Sequence, residues 1–258
     1  MGNNLLKGKR GIIFGALDDQ SIAWKVAERV IEEGATITLT NAPVALRFGK
    51  LQELGEKLNS EIIPADATSM EDLENLIDKS VETLGGKLDF MLHSIGMSIN
   101  VRKNRHYTNL KHDWTLKTYD ISALSFHKMM QVAMERDAMN EEGSILALTY
   151  MAAQRTFPDY NEMAEAKSIL ESIARSFGYH FGEKKKVRVN TISQSPTGFQ
   201  EFFDFAEKMS PLGNASAEEC ADYCVAMFSD LTKKVTMQNL LHDGGFSSMG
   251  LNPAILDM

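Results

Sequence analysis

The stretch "GIIFGALDDQSIAWKVAERVIEEGATITLT", Gly11 to Thr40, sets the fold. A short apolar run ends at Gly15. After a polar turn, Ser21 opens an amphipathic pattern to Glu33 with the 3.6-residue period of a helix, and the β-branched run "TITLT" follows. A strand, a helix and a second strand at this spacing make one crossover unit, which joins parallel neighbours.

The alternation continues outward. "EIIPA", "LDFMLHSI", "SILALT", "VRVNTIS" and "NLLHD" read as further strands, with helical patterns at Leu46–Leu58, Met70–Leu84, Tyr119–Met139, Tyr160–Phe181 and Ala217–Ser229. Several strands are apolar at nearly every position, as strands covered on both faces are. The expectation is an α/β fold: one doubly wound Rossmann-type domain over residues 1–258, with a parallel sheet of about seven strands and helices on both faces. No repeat or linker divides it.

Composition excludes several classes. The chain is 43% hydrophobic and 24% charged, and it has no apolar run of the roughly 18 residues that read as a membrane span. The start "MGNNLLKGKRG" has no apolar signal core, and Leu6 stands where a myristoylation signal needs Ser or Thr. A net charge of −8 counts against nucleic acid, and the dense basic run "EKKKVR" reads as a solvated turn. Cys220 and Cys224 have no second ligand pair, so no metal is expected, and they read as reduced thiols of a cytoplasmic protein.

Ligand-binding positions gather at strand ends. Gly15 lets backbone approach a pyrophosphate, and the helix beginning at Ser21 and Ile22 offers free N–H groups and partial positive charge, although the G-x-G-x-x-G fingerprint is absent. "PADAT" places Asp66 and Ala67 where a carboxylate and a backbone N–H could hold adenine; the competing reading of Asp66 is an Asx turn. "LHSIG" places Ser94, Ile95 and Gly96 at another strand end, with His93 packed in the strand. Beyond the second strand, around Ala42, no Lys or Arg stands ready for a 2′-phosphate, which favours NADH over NADPH. In "FPDYNEMAEAKSILESIARSFG" the helical reading puts Tyr160 and Lys167 on one face, roughly 10 Å apart along the axis.

These residues together resemble the enoyl-acyl-carrier-protein reductases, a divergent branch of the short-chain dehydrogenase/reductase superfamily. The resemblance rests on Gly15-x5-Ser21-Ile22-Ala23-Trp24, Asp66-Ala67, "LHSIG", "DIS" at Asp120–Ser122, Tyr150 ten residues before Tyr160, Tyr160-x2-Met163-x3-Lys167, "VRVNTIS" and "HDGGFS". Ordinary members of the superfamily carry Tyr-x3-Lys, but here Ala164 holds that position.

The resemblance implies NADH-dependent reduction of the trans-2 double bond of an enoyl thioester on acyl carrier protein. It assigns Tyr160 to the thioester carbonyl, Lys167 to the nicotinamide ribose, and Tyr150 to the family's second active-site tyrosine. Ser98, Tyr150, Tyr160 and Phe199 would meet substrate, and Thr197 the cofactor edge. Ser195 precedes Pro196 where the family commonly has Gly, and the segment from Pro196 to Pro211 is shorter than the family's substrate loop. Residues 197–212 are read as a lid, "GFQEFFDFAEKM" being an amphipathic helix. A homotetramer is also implied, and Phe126, Met129, Met130, Ile169, Ile173 and Phe177 read as its surplus apolar surface. A ketone or alcohol dehydrogenase and a non-catalytic dinucleotide sensor are the alternatives.

Overall fold

The computed structural model describes residues 2–47, 49–195 and 200–257. Its centre is a parallel sheet of β1 (Arg10–Phe14), β2 (Thr36–Thr40), β3 (Leu88–His93), β4 (Met139–Thr149), β5 (Arg188–Gln194) and β6 (Asn239–His242), in the order β2-β1-β3-β4-β5-β6. The helices are α1 (Ile22–Glu32), α2 (Pro43–Leu46), α3 (Leu51–Leu58), α4 (Met70–Thr83), α5 (Ile99–Arg102), α6 (His112–Tyr119), α7 (Ser125–Glu135), α8 (Met163–Lys185), α9 (Gln200–Met209) and α10 (Ala217–Phe228).

Successive strand residues point to opposite faces, and this sorts the core into two layers. Ile12, Phe14, Met91, Ile145 and Ala147 pack under α4, α7 and α8. Ile13, Phe90, Leu92, Leu146 and Leu148 pack under α1, α3 and α10. The doubly wound expectation holds, with six strands in place of about seven. "EIIPA" adds only a single bridge, Leu39 to Ile62, at the outer edge beside β2. The Ile63 and Ala65 N–H groups donate to the Leu39 and Asn41 carbonyls (2.9 and 3.1 Å), so the run lies along β2 without making a regular strand, and Pro64 takes an outward position that needs no N–H.

Two helical readings change. Leu46–Leu58 splits into α2 and α3 on either side of Gly49. Tyr119–Met139 is α6, a wide π-type turn at Asp120–Leu124, and α7, while Met139 already opens β4. In that turn the Ser122 hydroxyl exchanges hydrogen bonds with the Met97 backbone N–H (3.0 Å) and carbonyl (3.2 Å). A helix kept in strict α register would carry Ser122 to a different angle. Among the described residues, no helix is long and apolar enough to cross a membrane.

The strand order reverses between β1 and β3, with β2 to one side of β1 and β3 to the other. The carboxyl ends of β1 and β3 therefore bound the crevice where open α/β sheets bind ligands.

Candidate active site

Gly15 leaves β1 at that crevice with φ +94°. A Cβ there would lie 2.0 Å from the Ser94 carbonyl oxygen, so the close pass of the two strand ends requires glycine. Ser21 caps α1 without bonding its own helix. Its hydroxyl donates to the Asp18 carbonyl (2.7 Å) and accepts from the Leu17 N–H (3.2 Å), and the first turn of α1 carries no acid. The N–H groups of that turn and its partial positive charge fit an anionic pyrophosphate. Ile22 packs partly buried against the second layer.

At the end of β2, the Asn41 amide donates to the Ala16 carbonyl (3.0 Å) and its oxygen accepts the Ala42 N–H (2.8 Å), binding the β2 exit to the Gly15 turn. Asp66 makes the Asx turn: Oδ1 accepts from the Thr68 N–H (2.9 Å) and the Thr68 hydroxyl (2.8 Å). Ala67 packs against the first layer.

Gly96 lies beside α8. An added Cβ would stand 3.8 Å from Lys167 Nζ and 3.4 Å from the Met163 methyl. The Ser98 hydroxyl caps α5 through the Val101 N–H (3.0 Å) and donates to Glu162 (2.7 Å), so it is committed within the fold. Thr197 and Phe199 lie outside the described residues.

Tyr160 is not on the helix that carries Lys167. It ends a 3-10 turn, Pro158–Tyr160. Asn161 then turns at φ 48°, ψ −140°, and α8 begins only at Met163. The one-face argument for the pair thus gives way to a tertiary arrangement. The Tyr150 and Tyr160 rings pack at 5.2 Å between centroids, tilted by 59°. Met151, Ala206, Met209 and Phe246 close round them, with Phe157 and Phe205 alongside. Burial pushes both phenols well above the usual tyrosine range, so both keep their protons and serve as donors.

Lys167 is buried and donates from Nζ to the Leu148 carbonyl (2.8 Å). Burial lowers its ammonium to about 8, against a partly opposing pull from Glu171. One turn on, Glu171 accepts from the Thr149 hydroxyl (3.0 Å) and the Gln154 amide (3.1 Å). His93 is fully buried and bonded to the Ser125 hydroxyl (2.7 Å). Burial, and then the Lys167 charge, drop it to about 3, which suits the packed role expected of it. Cys220 and Cys224 are buried free thiols, and no metal-binding cluster exists among the described residues.

One group has little signal in the sequence. Glu162, fully buried, accepts at Oε1 from Ser98 (2.7 Å), Thr118 (2.9 Å) and Asn100 (3.0 Å). With Asn161, whose amide donates to the Arg105 carbonyl (2.7 Å), it breaks the chain between Tyr160 and α8. A glutamate at a helix start ordinarily reads as a solvated favourable charge. Its partners lie 44 to 64 residues away.

A switch-point crevice, a glycine pass under a helix N-terminus, and two protonated tyrosines near a buried lysine define a dinucleotide-dependent oxidoreductase of Rossmann type. The family model for enoyl-(acyl carrier protein) reductase matches residues 15–247. NADH-type enoyl-[acyl-carrier-protein] reductase 1 of Rhizobium meliloti is 32% identical over 261 residues, covering 96% of this chain and 94% of that one. The crystal structure of FabI from Alistipes finegoldii superposes with a TM-score of 0.95 at 64% identity, over 98% of this chain and 96% of that one. The FabI–NADH complex from the same organism gives 0.96 at 63%, over 97% and 92%. The chain belongs to the enoyl-(acyl carrier protein) reductase family.

Proposed function

We propose that Tyr150, Tyr160 and Lys167 form the catalytic group of an NADH-dependent enoyl-acyl-carrier-protein reductase. The protein reduces the trans-2 double bond of enoyl thioesters in fatty acid elongation. The observation that carries the site assignment is the packed pair of Tyr150 and Tyr160 phenols, held protonated by burial just beyond the end of β4, where Lys167 Nζ meets the Leu148 carbonyl. Bound NADH supplies the hydride. As negative charge develops on the thioester oxygen, the Tyr160 hydroxyl donates to it, and a preorganised donor out of water lowers that barrier. Tyr150 packs against the Tyr160 ring and adds a second donor to the pocket.

Lys167 holds the ribose hydroxyls and keeps a proton at Nζ near the reacting carbons. Gly15, Ser21, Ile22, Ala42, Asp66, Ala67, Ser94, Ile95, Gly96 and Thr197 complete the cofactor cradle. Substrate contact at Ser98 uses backbone, since its hydroxyl is engaged; Phe199 joins Tyr150 and Tyr160 in lining the acyl path. Absorbance at the NADH band with a crotonyl thioester tests the reading: oxidation is expected, and binding without oxidation would instead support a dinucleotide sensor.

The chain is read as one domain with residues 197–212 as a lid. Ala206, Met209 and Phe205 of α9 rest on the Tyr150–Tyr160 cluster, so movement of this helix would open the acyl path. Hydrogen exchange should show α9 gaining protection when NADH is added; complete protection beforehand would rule the lid out.

A homotetramer is the assembly we infer, though not on the residues first expected. Phe126, Met129, Met130 and Ile173 belong to the protomer's own core, and Ile169 and Phe177 pack partly against it. Exposed apolar side chains do occur at Leu116 of α6 and Leu124 just before α7, and at Leu241 of the edge strand β6. Two separate faces fit two kinds of twofold contact. Light scattering should give four times the 28.7 kDa chain mass, and a monomer at micromolar concentration would refute it. Two buried thiols are consistent with the reducing cytoplasm, where we place the protein; recovery in a membrane or exported fraction would count against it.

A further inference from the structure

From Arg102 to His112 the chain reads "RKNRHYTNLKH", with four Lys or Arg, two His and no acid, in a protein of net charge −8. Some cations elsewhere are neutralised in place. Lys9, Lys25, Arg29, Lys57, Lys87, Lys128, Arg136, Lys185 and Lys233 all sit in ion pairs. Among the described residues, Arg102, Lys103, Arg105 and Lys111 form no ion pair, and neither does Arg155 across the groove. Arg102, Lys103, Lys111 and Arg155 are exposed. Asp113 and Asp159 lie alongside without pairing, and Glu165 on the groove wall accepts from the Tyr107 hydroxyl (2.6 Å), so the cations of the loop outnumber the acids beside them.

The backbone beneath these charges is pinned. Asn100 bonds Lys111 at both its N–H (3.1 Å) and carbonyl (3.3 Å), and the Asn161 amide holds the Arg105 carbonyl (2.7 Å). The second anchor is the residue next to Tyr160, so the basic loop is fastened to the rim of the active site. His106 and Arg155 line an open groove of about 770 Å³ that reaches Phe157 and Asn161. On the other side of the Tyr150–Tyr160 cluster, α9 presents Glu207, which accepts the Asn214 N–H, beside Lys208, with no comparable run of cations. The mouth of the site is therefore charged asymmetrically.

We propose that the Arg102–His112 loop, with Arg155, is the docking surface for an acidic carrier protein that delivers the enoyl thioester. This rests on the enoyl reductase reading above and names the face its partner uses. Exposed, unpaired cations on a fixed backbone attract an acidic surface over a Debye length, mainly by raising the association rate. A small uncharged thioester needs no such surface.

The experiment compares crotonyl loaded on an acidic acyl carrier protein with crotonyl-N-acetylcysteamine, which carries no charge. Two triple variants are used: Lys103→Gln/Lys111→Gln/Arg155→Gln and the same three positions changed to Glu. Wild-type kcat/KM with the carrier thioester should fall as salt is raised. It should drop about tenfold in the Gln variant, with the salt dependence flattened, and further in the Glu variant. The small thioester should be reduced equally by all three proteins, which also shows that the variants fold. Unchanged carrier kinetics in both variants, or an equal loss on both substrates, would overturn the docking surface. So would salt-dependent binding of a short RNA abolished in the variants while carrier kinetics stay intact. A wild type that reduces neither thioester would overturn the enoyl reductase reading itself.

Discussion

Tyr160→Phe is expected to lower turnover of a crotonyl thioester by about 10²–10³-fold while leaving NADH affinity within about twofold of wild type. The size follows from what the hydroxyl does. It is a donor with little to gain in the ground state, where the thioester oxygen is nearly neutral, and much to gain as that oxygen becomes enolate-like. Burial magnifies the difference, because the phenol sits among Tyr150, Met151, Met209 and Phe246. Phe keeps the ring that packs on Tyr150 at 5.2 Å, so the pocket persists and only the donor is lost. Tyr150→Phe should be milder, since in the proposed assignment Tyr150 packs on the Tyr160 ring and supplies only the second donor. Stopped-flow turnover against fluorescence titration of NADH separates the two quantities. A loss of NADH affinity proportional to the loss of kcat would place Tyr160 in the cofactor site.

What the sequence makes legible follows from which interactions are local. The two-layer core is readable because each strand encodes it in its own alternation, as Ile12-Ile13-Phe14 and Ile145-Leu146-Ala147-Leu148 do. Gly15 is readable because a strand-to-helix turn beside a neighbouring strand leaves room for nothing larger. Tyr160 and Lys167 are paired in the sequence by helical periodicity, and the structure does not keep them on one helix. Helical periodicity covers the whole run from Phe157 to Gly178, yet distant groups, Ser98, Asn100, Thr118 and the Arg105 carbonyl, hold Asn161 and Glu162 and delay α8. The π-type turn at Asp120–Leu124 has the same origin, since Ser122 answers to the Met97 backbone. Phe126, Met129 and Met130 carry no mark that distinguishes core from interface; only the sheet beneath them decides it. The basic loop is diluted by Asn, Tyr and Thr along the chain and becomes a surface only when Asn100 and Asn161 fold it together with Arg155.

Lys167→Met should separate stability from function most sharply. The ammonium is buried with the Leu148 carbonyl as its hydrogen-bond acceptor at 2.8 Å, and burial lowers it from 10.5 to about 8. The folded protein therefore releases this proton as pH rises through about 8, whereas the unfolded chain keeps it until about 10.5. Below 8 the full penalty of burying the charge weighs on the fold; between 8 and 10.5 it fades, so this residue makes the protein more stable as pH rises. Met fills similar space without the charge and gives up only the bond to Leu148, so at pH 7 the variant should be more stable by about 1–2 kcal/mol. That advantage should shrink toward pH 10. The same variant should bind NADH about 10- to 100-fold more weakly, as expected on losing a charge-assisted hydrogen bond to the ribose. Wild-type affinity should itself weaken above about pH 8, as Lys167 loses its proton, while the variant's stays flat. Melting temperatures and NADH titrations at pH 7 and pH 10 give all four quantities. A variant less stable than wild type at both pH values, with unaltered NADH affinity, would make Lys167 a structural residue whose charge serves the fold and not the cofactor.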